Sequence, residues 1–183
     1  MPVSRWMSWE GGVDVVGATA PGLPIPNLLV HVARIVHTPI GAAPSGMVLW
    51  QPDPKSAPEV IGFVSADLRL AQWFGPNIFA GTPFENAPAL QAKIDIAITA
   101  ERATSRVEVA GCVFEVTLGQ LGSAELIHRA AGSPMPFAQQ GLEARAGRAE
   151  VRVNGKPVPI TVPPASIGGG PGALVSACGV YAR

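Results

Sequence analysis

An alternation of apolar and polar residues over positions 92–101 is the clearest pattern along the chain. Ile94, Ile96 and Ile98 share one parity, and the charged and hydroxyl-bearing side chains of the segment fall on the other. Successive side chains of a β-strand point to opposite faces of its sheet, so this pattern predicts a strand with one face on a core and one in water. A polar loop follows, and the apolar run that begins after it is predicted to return antiparallel to this strand.

The returning run, residues 106–118, changes the phase of its alternation. Val107 and Val109 share one parity, but after Ala110-Gly111 the apolar positions take the other parity, beginning with Cys112. A one-residue slip would turn the apolar face outward unless an extra residue absorbs it. We therefore predict a β-bulge at Ala110-Gly111, which would bend the strand as a barrel or curled sheet requires. A flat strand buried on both faces is the alternative.

The clearest turn in the sequence is Asn154-Gly155, the dipeptide favoured in two-residue hairpins because both positions need positive φ. It pairs Val153 with Lys156. In this register Pro157 and the proline two residues later sit where their missing N–H groups would point away from the partner strand. The strand after the turn is therefore predicted to be a sheet edge that resists further pairing.

Four further runs rich in β-branched residues predict strands, at residues 27–38, 47–51, 60–64 and 173–181. The first is apolar on both parities, which is typical of a central strand covered on both faces. The predicted fold is mostly β: a single antiparallel β-barrel or strongly curled sheet of about eight strands, with one or two short helices. A two-sheet β-sandwich is the alternative.

Two segments allow more than one structure. Residues 66–74 favour a short helix capped by Ser65, although their alternation also permits a strand. Residues 119–132 fit either a helix that begins near Ser123 or a strand around Leu126.

The length of the chain suits one domain with one substantial core, so we expect residues 1–183 to form a single β-rich domain. Residues 1–26 contain many glycines and prolines and are predicted to form an irregular N-terminal arm, with a strand only at 13–17. The glycine-rich residues 168–172 are predicted to form a flexible loop.

Composition narrows the class of protein. Apolar residues make up 48% of the chain and charged residues only 14%, against a usual share of about a quarter. This composition excludes a chain kept disordered by charge, and it predicts that apolar surface is covered in a homo-oligomer. Basic and acidic residues number 13 each, without a run of Lys or Arg, so a nucleic-acid partner is not expected.

No stretch approaches the roughly 20 apolar residues that a membrane helix needs, and residues 1–13 lack the apolar centre of a secretory signal. We therefore expect a cytoplasmic protein without a membrane partner. In that compartment Cys112 and Cys178 are expected to be free thiols.

The sequence predicts no metal, no cofactor and no particular reaction. His31 and His37 would lie about 20 Å apart on one strand, too far to hold one ion. Glu125 and His128 have the spacing found in carboxylate-bridged metal bundles, but the second pair that such a site needs is absent. The chain also contains no Gly-x-Ser-x-Gly elbow and no phosphate-binding loop.

Aromatic residues between positions 73 and 84 give the strongest indication of a functional site. Small molecules usually bind in apolar pockets that contain a few polar groups. We therefore predict that a barrel of this size holds a small apolar or aromatic molecule. The predicted contacts are the aromatic residues Trp73, Phe74, Phe79 and Phe84, with Asn77, Thr82 and Glu85 as polar groups and Trp50 and Phe137 as further candidates. The alternative is that these aromatic residues only fill a core or an interface.

Two other functions also fit the sequence. An enzyme would use Glu85, His31 or His128 as an acid–base group in the barrel mouth. A non-catalytic structural subunit would use the aromatic residues as the seam of a homo-oligomer.

Overall fold

The protein is mostly β, with one short helix in the part that the structure, a computed structural model, describes: residues 5–23, 25–132, 135–166 and 168–183. The strands are β1 (Trp6–Gly17), β2 (Leu28–Thr38), β3 (Gly41–Trp50), β4 (Val60–Ser65), β5 (Ala89–Ile98), β6 (Arg102–Val109), β7 (Cys112–Leu121), β8 (Glu125–Arg129), β9 (Ala138–Val153), β10 (Lys156–Val158) and β11 (Ala173–Ala182), and the helix is α1 (Leu68–Asn77). No helix in these ranges is long and apolar enough to cross a membrane.

The strands form one large curled sheet of eleven strands, more than the roughly eight that the sequence predicts. Its central path runs β11-β1-β2-β3-β4-β5-β6-β7, and only the β4–β5 pair is parallel. The long strand β9 pairs with β11 through residues 138–145 and with β7 through residues 146–153. One strand is therefore hydrogen-bonded to both ends of this path.

Two apolar clusters lie on opposite faces of the sheet. The larger cluster receives side chains from β1 to β7, β9 and β11, so we assign it to the concave face. Ile94 is buried there, and Ile96 and Ile98 pack against it, as the alternation predicts. We call the opposite face of β11 and β1 to β4 the outer face; the second cluster covers part of it.

Helix α1 packs on the outer face. The Asp67 side chain accepts a hydrogen bond from the Arg69 N–H and caps the helix, while the Ser65 hydroxyl accepts one from the Asp67 N–H. Leu70 and Phe74 are buried against the strands. The helix predicted for residues 66–74 is therefore present, but it begins at Leu68 and ends at Asn77, and Asp67 rather than Ser65 caps it. Residues 119–132, by contrast, contain strand β8 and no helix, so only the strand alternative was right.

The bulge predicted at Ala110-Gly111 is wrong, because these residues form the turn of a hairpin. Val109 pairs directly with Cys112, and Ala110 and Gly111 have φ of 49° and 78°. Two positive φ values in a two-residue loop are typical of a type I′ turn. The residue numbers of paired residues across a two-residue turn differ by an odd number. Apolar residues that share one face therefore have odd numbers before the turn and even numbers after it, and no bulge is needed.

The irregular arm predicted for residues 1–26 contains a longer strand than the one expected at 13–17, so the prediction is wrong over residues 6–12. Strand β1 covers twelve residues of it and lies between β11 and β2. Gly11 and Gly12 interrupt its alternation, and Gly11 has φ of 66°. This interruption explains why the sequence predicts a strand only from residue 13. Residues 1–4 and 24 of the predicted arm lie outside the described ranges.

The hairpin at Asn154-Gly155 has the predicted register, since Val153 pairs with Lys156 and Arg152 with Pro157. Strand β10 lies at an edge of the sheet, and within the described ranges no strand pairs with its outer side. The edge prediction is therefore confirmed for β10. The strand was predicted to extend to residue 162, but beyond β10 Thr161 forms an antiparallel bridge with Ala18, so this part of the predicted edge is paired.

Candidate functional site

A cavity of about 470 Å³ opens on the outer face of the sheet. Its floor is formed by β1 to β4, β9 and β11, and its walls by three connecting segments around Phe79, Met135 and Gly170. This volume lies in the range of small-molecule sites. The concave side, where we expected the ligand, is occupied by the larger apolar cluster. The cavity is therefore on the other side of the sheet from the barrel interior in which the ligand was predicted to bind.

One end of the cavity has an apolar floor. Val16, Leu29, Leu49 and Ile61 are successive cross-strand neighbours on β1, β2, β3 and β4. All four line the cavity, and Ile25 stands beside them with two thirds of its surface exposed. Such a row offers apolar contact area to a ligand without any group that needs a hydrogen bond.

Aromatic rings form one wall of the cavity. Phe137 stacks on Tyr181 with a centroid distance of 4.0 Å, and Trp9 meets Tyr181 at 4.7 Å with the ring planes inclined by 61°. Phe79 lies 5.5 Å from Phe137 and 6.2 Å from Phe84. These contacts hold the rings in fixed positions relative to one another.

Trp9 is held from two sides. Its indole N–H donates a hydrogen bond of 2.8 Å to the hydroxyl of Ser176, which is buried. The ring covers Gly179, where a Cβ atom would lie 2.1 Å from the indole. The aromatic wall is therefore rigid at the point where it meets the strands.

The other end of the cavity is charged. The Arg129 guanidinium donates two hydrogen bonds of 2.7 Å to the buried Glu143 carboxylate, and the Gln139 amide donates one of 3.1 Å. The hydrogen bonds to Glu143 raise the pKa of Arg129, so the guanidinium stays charged. Gly170 passes directly over this pair, and a Cβ atom there would lie 3.1 Å from the guanidinium.

Asp14 and His31 lie beside this ion pair. They are direct cross-strand neighbours on β1 and β2, and His31 Nδ1 is 2.8 Å from Asp14 Oδ1. This is a hydrogen-bond distance, and no other donor reaches the buried Oδ1 within the described residues. Burial would lower the pKa of His31, but the charge of Asp14, the hydrogen bond to its carboxylate and, more weakly, the charge of Glu143 outweigh burial and raise the pKa.

Tyr181 completes the charged end. Burial raises the pKa of its hydroxyl, and the negative charges of Asp14 and Glu143 raise it further. The phenol is therefore neutral at physiological pH. The same two carboxylates raise the pKa of both His31 and Tyr181, which indicates a negative potential at this end of the cavity.

The structure brings only part of the sequence-predicted site to the cavity. Phe79, Phe84 and the further candidate Phe137 line it. The polar candidates instead stabilise the covering segment: the Asn77 amide donates to the Trp73 carbonyl, the Thr82 hydroxyl to the Phe79 carbonyl, and Glu85 accepts from the Gly81 N–H. The residues that do not line the cavity are Trp50, Trp73, Phe74, Asn77, Thr82 and Glu85.

Of the three candidate acid–base residues, only His31 lines the cavity, while Glu85 and the exposed His128 do not. Asp14, Arg129 and Glu143 were not singled out in the sequence. No short-range motif connects them. Arg129 and Glu143 meet across the consecutive strands β8 and β9, and this pair reaches Asp14 only because β11 lies between β9 and β1. In the described ranges no three His, Cys, Asp or Glu side chains lie close enough to hold a metal ion.

A comparison of the chain with protein-family models, with curated proteins and with solved structures returned no match.

Proposed function

We propose that the protein binds a small molecule with an apolar or aromatic body in the cavity on the outer face. One observation carries this proposal: a single cavity of about 470 Å³ combines an apolar floor, an aromatic wall and a charged end. Buried apolar area supplies affinity in such a site, and a few polar groups fix the orientation of the ligand.

The proposed role of the curled sheet is to keep this cavity rigid. Pairing of β9 with both β7 and β11 supports a closed barrel as the finer description of the sheet. Its concave side is filled by side chains such as Phe114 and Leu118, which are fully buried. A filled barrel does not collapse when a ligand leaves, so the cavity on its outer face keeps its shape without a ligand.

Fluorescence titration with N-phenyl-1-naphthylamine, an uncharged dye that emits in apolar sites, tests the proposal. We expect saturable binding, and Phe84→Ala should weaken it about tenfold, because one buried ring contributes on the order of 1.5 kcal/mol. Trp73→Ala is the matched control, since Trp73 lies on the neighbouring helix but does not line the cavity. Absence of saturable binding, or an equal loss in both variants, would contradict the proposal.

A second candidate function is proton transfer to a bound ligand by His31. The observation that favours it is the Asp14 carboxylate 2.8 Å from Nδ1, while Nε2 has no hydrogen-bond partner in the described ranges. A carboxylate that orients an imidazole is a common arrangement for a general base. Deuterium incorporation next to the carbonyl of small ketones in D₂O tests this function. We expect incorporation to be lost in His31→Gln and kept in His128→Gln; no incorporation by the unaltered protein would rule it out for this substrate class.

A further inference from the structure

The charges at the charged end of the cavity do not sum to zero when His31 is neutral. Arg129 and Glu143 neutralise each other through two hydrogen bonds, and the phenol of Tyr181 is uncharged. The charge that remains is that of Asp14. The Arg129 guanidinium is already paired with Glu143 and is not free to bind an anion. The charged end of the cavity therefore favours a cation over an anion.

The hydrogen bonds of Asp14 are also incomplete. Asp14 is about nine-tenths buried and lines the cavity, and within the described part of the chain His31 Nδ1 is the one group that stands at hydrogen-bond distance from its carboxylate. A buried carboxylate with one donor keeps lone pairs without a partner, which costs free energy that a donor or cation on a ligand would offset. This is an observation separate from the charge balance, and it points to the same kind of ligand.

The aromatic wall is a third feature that suits an organic cation. Trp9, Phe137 and Tyr181 pack against one another beside the charged end, with neighbouring centroids 4.0 and 4.7 Å apart. Aromatic faces attract organic cations, most strongly where water is excluded, and clustered rings are a common way to bind quaternary ammonium groups.

We infer that the ligand carries an organic ammonium group, held between the Asp14 carboxylate and the rings of Trp9 and Tyr181, with its apolar body on the floor of Leu29 and Leu49. The inference rests on the proposed binding function and specifies the chemistry of the ligand.

His31 makes this binding depend on pH. The charged and titratable groups that face it are Asp14 from β1, Glu143 from β9, Arg129 from β8 and Tyr181 from β11. A protonated His31 balances Asp14 and repels a ligand cation, whereas a neutral His31 leaves Asp14 available. Binding of an ammonium ligand therefore tightens as the pH rises and releases a proton when it occurs below the pKa of His31.

Calorimetric titration with three probes of similar size tests the inference: benzyltrimethylammonium, benzyl alcohol and phenylacetate. At pH 8 we expect the cation to bind about tenfold more tightly than the alcohol, in line with a desolvated cation–π contact next to a carboxylate. Phenylacetate should bind most weakly. Asp14→Asn keeps the shape of the side chain and should remove the preference for the cation while benzyl alcohol still binds.

The controls separate this inference from the proposed function. Glu108→Gln removes an exposed carboxylate on β6 and should change none of the three affinities. If benzyl alcohol binds and Phe84→Ala weakens it, but the cation has no advantage, binding stands and the ammonium inference is overturned. If none of the three probes binds at millimolar concentration, both are overturned. Retention of the cation preference in Asp14→Asn also overturns the inference.

A pH series gives an independent readout. Between pH 5.5 and pH 8 the affinity for benzyltrimethylammonium should rise several-fold in the unaltered protein and stay nearly constant in His31→Gln. An affinity that falls with rising pH, or one that rises equally in both proteins, would contradict the role assigned to His31.

Discussion

The indole ring of Trp9 lies flat against the backbone of Gly179, so that any Cβ atom at position 179 would come within 2.1 Å of the ring. The two residues pair across β1 and β11. Because this contact sets the position of Trp9, a small residue at 179 supports the aromatic wall of the cavity.

Gly179→Ala should therefore lower the free energy of unfolding by about 1–3 kcal/mol, since the ring must move to admit the methyl group. Gly119→Ala is the matched control, because position 119 is also in a strand and has no atom within 4 Å of its Cβ site. The control should leave stability unchanged or raise it by up to about 1 kcal/mol. Urea unfolding of both variants measures the difference, and equal stability of the two would refute the close contact.

The Arg129–Glu143 pair gives a second prediction. Removing the guanidinium in Arg129→Leu leaves the Gln139 amide as the one donor to the buried Glu143 carboxylate among the described residues, which should cost about 3 kcal/mol. Replacing both residues by leucine should cost less than the single change, because no unpaired charge remains. Chemical unfolding of the single and double variants distinguishes these outcomes.

Arg148→Leu is the control for that comparison. Arg148 pairs with Glu150, but more than half of each side chain is exposed, so its loss should change stability by less than about 1 kcal/mol. If the double variant of Arg129 and Glu143 is less stable than the single Arg129 variant, then Arg129 does not compensate the buried charge of Glu143.

The raised pKa of His31 gives a third prediction, on stability. A group whose pKa is higher in the folded than in the unfolded protein contributes its stability fully below the unfolded value, about 6.5, and loses it as the pH rises through the folded value. The stability difference between the protein and His31→Gln should therefore be larger at pH 5.5 than at pH 9. Its size should stay within about 1 kcal/mol, because nearly half of the His31 side chain is exposed.

Thermal unfolding at the two pH values measures this difference, with His128→Gln as the control for loss of a surface imidazole. A titration of the His31 ring followed by NMR checks the cause. A midpoint at or below 6.5 would contradict the raised pKa.

Local signals in the sequence were sufficient for several elements. The alternation around Ile94 depends only on the period of a strand, and the register at Asn154-Gly155 depends only on the turn. Ala110 shows the limit of such signals. Alanine rarely adopts positive φ, so Ala110-Gly111 does not resemble a turn, although its φ values of 49° and 78° make it one.

The candidate site could not be predicted in the same way. Asp14 meets His31, and Arg129 meets Glu143, through pairings of β1 with β2 and of β8 with β9. The sequence does not specify which strands are neighbours or which face each residue takes after an interruption such as Gly11-Gly12. Phe79 and Phe84 could be predicted because a cluster of aromatic residues suggests an apolar pocket whatever the strand order is. The homo-oligomer expected from the low charge content stays a prediction, which sedimentation velocity would test.

Two hairpin turns of the sheet with similar backbone conformations provide the fourth prediction. Ala110-Gly111 and Asn154-Gly155 have nearly the same backbone, with φ of 49° and 78° in the first and 52° and 75° in the second. A left-handed conformation costs an alanine roughly 1 kcal/mol, whereas asparagine adopts it readily. Ala110→Asn should therefore raise the free energy of unfolding by about 0.5–1 kcal/mol.

Ala97→Asn is the matched control, because Ala97 is equally exposed but lies within β5, where asparagine is disfavoured. It should leave stability unchanged or lower it slightly. Ala110→Val should lower stability, since a β-branched residue fits positive φ poorly. If Ala110→Asn and Ala97→Asn shift the unfolding midpoint equally, the segment is not a type I′ turn, and the bulge predicted from the sequence would become the better description of residues 106–118.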